Sequence, residues 1–236
     1  MANYKYGVPP FSTTTFTSPV AGTDDVFTAK VLADFTINGN GGNDVVRTAG
    51  GNDTITTRAG ADVVNSGGGN DIVTTGGGND RINSGGGNDR IISGGGNDKV
   101  NAGTGNDRIT PGGGIDALIG GGGHDTFVYG RLADARLGAD TISDFSTSSP
   151  TGPGEGDVLD LHGLIDDFTG LQGASLAQLV ASGHLDFSAG GGGTVISFDS
   201  NGSAAGGSIG VLATLVGVGF TTEGASALAF GDNILV

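Results

Sequence analysis

The chain has 236 residues, including 50 glycines but no cysteine or tryptophan, and its formal net charge is -15. The missing cysteines exclude disulfides and thiolate metal sites. The negative charge argues against a nucleic-acid partner and against binding to anionic membranes.

Residues 1–38 are rich in threonine and carry Pro9, Pro10 and Pro19. We expect an extended N-terminal capping segment, with a strand or two around VFTAKVLADFTI. The first residues contain no apolar segment after a basic start, so a Sec-type signal peptide is not expected. The sequence also lacks a run of 18 apolar residues, which predicts no membrane insertion.

Residues 39–128 form ten nonapeptides without a slip. Position 4 is always glycine, position 5 is asparagine in seven units, and position 8 is always apolar. Position 6 is always aspartate: Asp44, Asp53, Asp62, Asp71, Asp80, Asp89, Asp98, Asp107, Asp116 and Asp125. A period this regular determines the fold and is interpreted before anything else.

The residue types within one unit predict a three-residue strand followed by a glycine-rich turn. A triplet with an apolar middle residue places one side chain inward and two outward. Glycine supplies the positive φ angles that a tight turn needs. Position 9 carries Asn65, Asn83 and Asn101 in alternate units and Thr56, Thr74 and Thr110 in the others, although Ile92 interrupts the threonine row. We therefore expect two units per coil, about five coils, and like residues stacked about 4.8 Å apart.

Residues 129–236 differ in character, since the last 100 residues contain 11 acids and no Lys or Arg. We expect strands near DTISDF and DVLDL, then a short helix over SLAQLVAS that is stopped by Gly183. Further strands are expected in GTVISFDSNG, in ATLVGVGF and in NILV. This region is predicted to form an antiparallel β-rich cap.

Stacked coils would bring the aspartates into two columns of five. Carboxylates about 4.8 Å apart repel by roughly 0.9 kcal/mol in bulk water. Eight such neighbour pairs amount to about 7 kcal/mol, comparable with the stability of a whole domain. The roll therefore needs counter-charge. Carboxylate and backbone carbonyl oxygens without Cys, and with only three scattered histidines, favour calcium over magnesium, with about eight ions in the roll.

The units resemble the RTX nonapeptide G-G-x-G-x-D-x-U-x, a calcium-binding repeat. This resemblance implies a right-handed parallel β-roll in which each Ca²⁺ lies between the turns of units n and n+2. The ligands would be both aspartates together with loop carbonyls of Gly67, Gly69, Gly76, Gly78, Gly85, Gly87, Gly94, Gly96, Gly103, Gly105, Gly112 and Gly114. The first glycine of the motif is present only at Gly39 and Gly120, and units two and three, TAGGND and TRAGAD, are the most degenerate.

Residues 139–164 and the remaining end, with VISFDSNG and GDNILV, resemble the C-terminal target region of type I secretion substrates. The resemblance implies export by a type I exporter of a Gram-negative bacterium. The roll would stay unfolded at low cytosolic calcium and fold outside the cell. The turn at Asp199 is a further candidate calcium site, although an ordinary turn is the simpler interpretation.

An enzyme is the rival class, yet neither H-E-x-x-H nor G-x-S-x-G occurs. We expect a secreted, non-enzymatic, calcium-binding protein associated with the extracellular matrix, the cell surface or adhesion. The alternatives are a diffusible protein that sequesters calcium or signals to a host and, more remotely, an accessory or ice-binding roll. The basic row at position 7 is either a solvated face or a surface for a partner such as an anionic glycan, and the Asn and Thr ladders leave self-association open.

Overall fold

A computed structural model describes residues 2–6, 14–18, 20–130, 139–147, 156–167, 171–199, 209–218 and 234–236. Strands before the repeats are β1 (Ala2–Tyr6), β2 (Thr14–Thr17), β3 (Asp25–Ala29) and β4 (Phe35–Asn38). The repeats form β5 (Val45–Arg47), β6 (Thr54–Ala59), β7 (Val63–Gly68), β8 (Ile72–Gly77), β9 (Arg81–Gly86), β10 (Arg90–Gly95), β11 (Lys99–Thr104), β12 (Arg108–Gly113), β13 (Ala117–Gly122) and β14 (Thr126–Val128). After them come β15 (Asp140–Ile142), β16 (Val158–Asp160), β17 (Leu185–Gly190), β18 (Gly193–Asp199), β19 (Ile209–Val216) and β20 (Ile234–Leu235).

The repeats build a parallel β-solenoid of about six turns together with their neighbours, as predicted from the period. Odd-numbered strands β1 to β15 lie side by side in one sheet, and even-numbered strands β2 to β16 lie in the other. The register is 18 residues: Ile91 is paired with Ile109, and Asn83 with Asn101. Two units per coil and the predicted position-9 ladders are confirmed.

Most repeat strands have six residues instead of the expected three. Pairing resumes after position 1 and continues through positions 2 and 3, as in Gly76 with Gly94 and Gly77 with Gly95. A glycine in an extended ladder makes the same backbone hydrogen bonds as any other residue, so glycine content alone did not mark where the turn begins. Strand β5 ends early at Arg47, in front of the unit that has Ala49 at position 2.

The core of the roll is a single file of apolar side chains. Every position-8 residue is 0–2% exposed: Val46, Ile55, Val64, Val73, Ile82, Ile91, Val100, Ile109, Leu118 and Phe127. Position 1 also faces inward, and its residues from Thr57 to Ala102 are fully buried. The inward alternation of a strand explains both columns, because positions 8 and 1 are two residues apart.

Parallel pairing continues beyond the repeats at both ends. Strand β3 pairs with β5, and β4 pairs with β6, so the segment before residue 39 contributes coils of its own. At the other end β15 pairs with β13, and β16 pairs with β14. The predicted antiparallel portion consists of β17, β18 and β19, and it joins the roll where β19 runs parallel to β15.

Two short helices lie between β16 and β17. Helix α1 (His162–Asp166) was not expected, whereas α2 (Leu176–Ala181) is the helix expected from SLAQLVAS. A capping box formed by Ser175 and Gln178 begins α2. Within the described residues, no helix combines the length and apolar character that crossing a bilayer requires.

Candidate calcium sites

The ten repeat aspartates stand in two buried columns at the turns. Each is between 0 and 3% exposed. One column contains Asp44, Asp62, Asp80, Asp98 and Asp116, and the other contains Asp53, Asp71, Asp89, Asp107 and Asp125. The predicted arrangement, in which each acid faces its counterpart 18 residues away, is present.

Each carboxylate reaches back to the preceding coil of its column. The backbone N–H of Asp71 donates to Oδ1 of Asp89 at 2.8 Å, and that of Asp80 donates to Oδ1 of Asp98 at 2.8 Å. The same bond occurs in all eight neighbour pairs of the repeats at 2.7–2.9 Å. One oxygen of each of these carboxylates is therefore satisfied by the protein.

The second oxygen is buried and has no hydrogen-bond partner in nine of these residues. It is Oδ2 of Asp44, Asp53, Asp62, Asp71, Asp80, Asp89, Asp98, Asp107 and Asp116. Buried polar groups are normally paired, and an ionised carboxylate without a partner is among the most costly groups to bury. Nine repetitions of the same unsatisfied atom indicate a ligand position.

The protonation equilibria show the same cost. Burial raises the pKa of Asp44, Asp107 and Asp116 to about 7, although the hydrogen bond from the preceding coil partly lowers it. Burial also raises the pKa of Asp53 and Asp80 to about 6, opposed first by the neighbouring hydroxyls of Thr48 and Thr75. The remaining raised carboxyl groups of the columns follow the same direction for the same reason: Asp62, Asp71, Asp89 and Asp98.

The glycines at positions 2 and 4 place backbone carbonyls between the coils. A Cβ on Gly85 would overlap the carbonyl oxygen of Gly67, and a Cβ on Gly87 would overlap that of Gly69. Both glycines have φ above +100°. The predicted carbonyl ligands of Gly67, Gly69, Gly76, Gly78, Gly85, Gly87, Gly94 and Gly96 each point at the same position one coil further on, as do those of Gly103 and Gly105. The carbonyls of Gly112 and Gly114 are also on turns with φ in the left-handed region.

Position 2 of the degenerate third unit is Arg58, which keeps φ at +83°. A non-glycine residue in this region is strained. The turn geometry is therefore retained even where the glycine is missing.

These residues fit calcium. In the described part of the chain no three His, Cys, Asp or Glu side chains converge on one point, so each gap between coils offers two carboxylates. The remaining ligands would have to be backbone carbonyls, and an all-oxygen set of this kind suits Ca²⁺. Bound calcium would supply positive charge to the orphaned oxygens and cancel the repulsion within each column.

Two side-chain ladders that the sequence analysis did not assign reinforce the turns. Position-5 asparagines run in the direction opposite to the aspartates: Oδ1 of Asn70 accepts from the N–H of Asn88, and Oδ1 of Asn88 accepts from that of Asn106. Position-1 hydroxyls donate along the inside of the roll, as Ser84 does to the carbonyl of Ala102 at 2.8 Å. The repeated Asn and the Ser/Thr at position 1 were visible in the sequence, but their partners depend on the 18-residue register.

Both columns also extend into residues outside the nonapeptides. Oδ1 of Asp140 accepts from the N–H of Asp116 at 2.9 Å, and Oδ1 of Asp157 accepts from that of Asp125 at 3.0 Å. At the N-terminal end the N–H of Asp25 donates to Asp44. The separate candidate near Asp199 lies at the end of β18, and residues 200–208, which follow it, fall outside the described residues.

A parallel roll with buried aspartate columns and glycine turns defines the class of repeat-built, ion-stabilised β-solenoids. A family model described as the RTX calcium-binding nonapeptide repeat (4 copies) matches residues 38–73, 74–109 and 102–135. The chain is an RTX calcium-binding nonapeptide repeat protein.

Two further comparisons were made. The solution structure of the AlgE6R3 subunit from the Azotobacter vinelandii mannuronan C5-epimerase is 23% identical, with 97% of this chain and 86% of that chain covered and a TM-score of 0.31. No curated protein matches the chain.

Proposed function

We propose that this chain is a secreted, non-enzymatic protein whose roll folds on binding calcium outside the cell, and that it acts as a surface- or matrix-associated component. The observation that carries the proposal is the file of buried aspartate oxygens without partners in the repeats. The apolar core of the roll is one residue wide, so burial alone gives little to offset these charges.

Calcium dependence follows from the electrostatics of the columns. Without counter-charge, carboxylates in neighbouring coils repel each other, and the pKa of Asp107 is raised partly by Asp125 and Asp89. Any ligand that binds only the folded chain stabilises it by mass action. A chain of this kind stays unfolded where calcium is scarce, which suits passage through an exporter, and it closes its coils where calcium is abundant.

A basic groove on the outer face of the first sheet favours surface association over free diffusion. The groove has a volume of about 550 Å³, and its polar lining includes Arg47, Arg81, Lys99 and the ladder Asn65, Asn83 and Asn101. None of its three cationic side chains makes an ion pair with a described residue, whereas Arg108 on the opposite sheet pairs with Asp160 at 3.3 Å. Unpaired cations beside a ladder of amides suit an extended anionic glycan.

The folding part of the proposal is tested on purified protein by circular dichroism and size exclusion. With EGTA at pH 7.5 the chain should be expanded and poor in strand, and with millimolar Ca²⁺ it should be compact and rich in strand. Magnesium at the same concentration is the control and should not replace calcium. A compact, strand-rich protein in EGTA would overturn the proposal.

The surface part is tested with dextran sulfate as the anionic probe and dextran as the neutral probe, both in calcium. The double variant R81Q/K99Q should lose binding to dextran sulfate. The matched control R90Q removes an exposed cation from the opposite sheet and should bind as wild type. Equal binding by both variants would favour the diffusible alternative.

A further inference from the structure

Asp25 lies outside the nonapeptides, yet it occupies a column position. It begins β3, 19 residues before Asp44, and is 1% exposed. Its strand pairs with β5 in the register of the roll, with Phe27 opposite Val46. Asp25 therefore stands at position 6 of a coil that the sequence motif does not mark.

The contact between Asp25 and Asp44 reproduces the contact between repeat aspartates. The N–H of Asp25 donates to Oδ1 of Asp44 at 2.9 Å, and the N–H of Asp44 donates to Oδ1 of Asp62 at 2.7 Å. The carboxylate of Asp44 is thus turned toward the coil of Asp25. Oδ1 of Asp25 and Oδ2 of Asp44 are both buried and have no hydrogen-bond partner.

A backbone carbonyl completes the likeness. A Cβ on Gly42 would overlap the carbonyl oxygen of Thr23, as a Cβ on Gly60 would overlap that of Gly42. The carbonyl of Thr23 consequently takes the place that position 4 fills in the repeats, although Thr23 is not a glycine. The hydroxyl of Thr23 is also 3.5 Å from Oδ2 of Asp25.

The opposite column supplies an internal contrast. There the coil before Asp53 has Phe35 at position 6, and the N–H of Phe35 donates to Oδ1 of Asp53 at 2.8 Å. The carbonyl of Ala33 faces Gly51 in the same way as that of Thr23 faces Gly42. The two first gaps share their backbone, and they differ in whether a second carboxylate is present.

We propose that Asp25 and Asp44, together with the carbonyl of Thr23, form a calcium site that lies beyond the nonapeptide repeats. The inference rests on the proposed calcium-dependent function of the roll and extends it to the N-terminal segment. The site ties that segment to the first repeat coil, while the gap between Phe35 and Asp53 has a single carboxylate and holds no ion.

Native mass spectrometry in calcium tests the site by counting bound ions. The variant D25N should hold one ion fewer than wild type. The control D24N removes the adjacent carboxylate, which is exposed and accepts from the N–H of Asn43, and it should hold the wild-type number. An equal count in D25N and D24N would overturn the proposal.

A measurement on the wild-type protein covers the case in which D25N fails to fold. Crystals grown with Tb³⁺ in place of calcium should show an anomalous peak between the carboxylates of Asp25 and Asp44. Peaks between the repeat aspartates without one at Asp25 would overturn this site and leave the proposed function intact. A protein that binds no ions at all would refute the proposed function instead.

Discussion

The repeats and the C-terminal portion of this protein solve the same structural problem with different chemistry. In the repeats, stacked carboxylates leave one buried oxygen each without a protein partner. In the C-terminal portion the corresponding carboxylates have both oxygens bonded: Oδ2 of Asp140 accepts from the hydroxyl of Tyr129 at 2.8 Å, and Oδ2 of Asp157 accepts from the N–H of Ser146 at 2.8 Å. The columns depend on an external cation along the repeats and are closed by protein donors at this end.

The apolar cores differ in the same sense. The repeats bury a single file at position 8, whereas the antiparallel portion and its helices bury a cluster of larger side chains: Leu164, Ile165, Leu179, Leu185, Phe187, Ile196, Phe198, Leu212 and Leu215. Burying one such side chain contributes about 1.5–3 kcal/mol. We infer that the C-terminal portion retains structure under conditions in which the repeats unfold.

Calcium removal should separate the two regions most strongly. In EGTA at pH 7.5, peptides from β7 to β12 should lose all protection against hydrogen exchange, because the carboxylate repulsion is no longer compensated. Peptides from β17 and β18 should keep measurable protection, because their pairing is antiparallel and their core is apolar. Hydrogen exchange with mass spectrometry checks both; simultaneous loss in the two regions would contradict the comparison.

Acid should partly replace calcium in the repeats. The folded pKa of Asp44, Asp107 and Asp116 is raised by burial from 3.8 to about 7, so the calcium-free folded state binds more protons than the unfolded state. Their contribution to stability is complete below about pH 4 and is lost as pH rises through 6 to 7. Circular dichroism of calcium-free protein should therefore show more strand at pH 4.5 than at pH 7.5.

The opposite trend, or no trend, would show that the columns are not strained at neutral pH. Calcium-loaded protein is the control. Protons compete with calcium for the same oxygens, so its stability should fall on acidification through the same pH window.

The substitution D89N should have opposite signs in the two states of the roll. With saturating calcium it removes one partner from a buried ionic contact, and the free energy of unfolding should fall by about 3 kcal/mol. Without calcium it relieves repulsion from Asp71, which is one of the causes that raise the pKa of Asp89, and it should stabilise the chain. Urea unfolding with and without calcium measures both effects.

The control D186N changes an exposed acid in β17 and should alter neither value by more than about 0.5 kcal/mol. Equal effects of D89N and D186N in calcium would contradict the role of the columns.

The repeat roll could be predicted from sequence because one period carries all the information. Once Asp71 and Asp89 are known to be 18 residues apart and two units form a coil, the columns and the sheets follow. Asp140 and Asp157 were not predicted because they lie 24 and 32 residues from their partners, so inserted loops break the period.

Two local features were missed for related reasons. Asp25 was hidden because Thr23 stands where the motif requires glycine. Helix α1 begins at Leu161 without a side-chain cap and so has no start signal, whereas the capping box of Ser175 made α2 predictable.

The substitution Y129F should convert the closed end of one column toward the state of the repeats. Tyr129 is fully buried, and the change keeps its ring while removing the hydroxyl that donates to Asp140. Losing a hydrogen bond to a buried carboxylate costs about 2 kcal/mol, so urea unfolding in calcium should show a loss of that size. The stability of Y129F should also depend more steeply on calcium concentration than that of wild type, because the carboxylate of Asp140 loses a protein donor and becomes a better ligand. A matched loss with an unchanged calcium dependence would mean that Tyr129 only fills space, and that the column ends at Asp116 for some other reason.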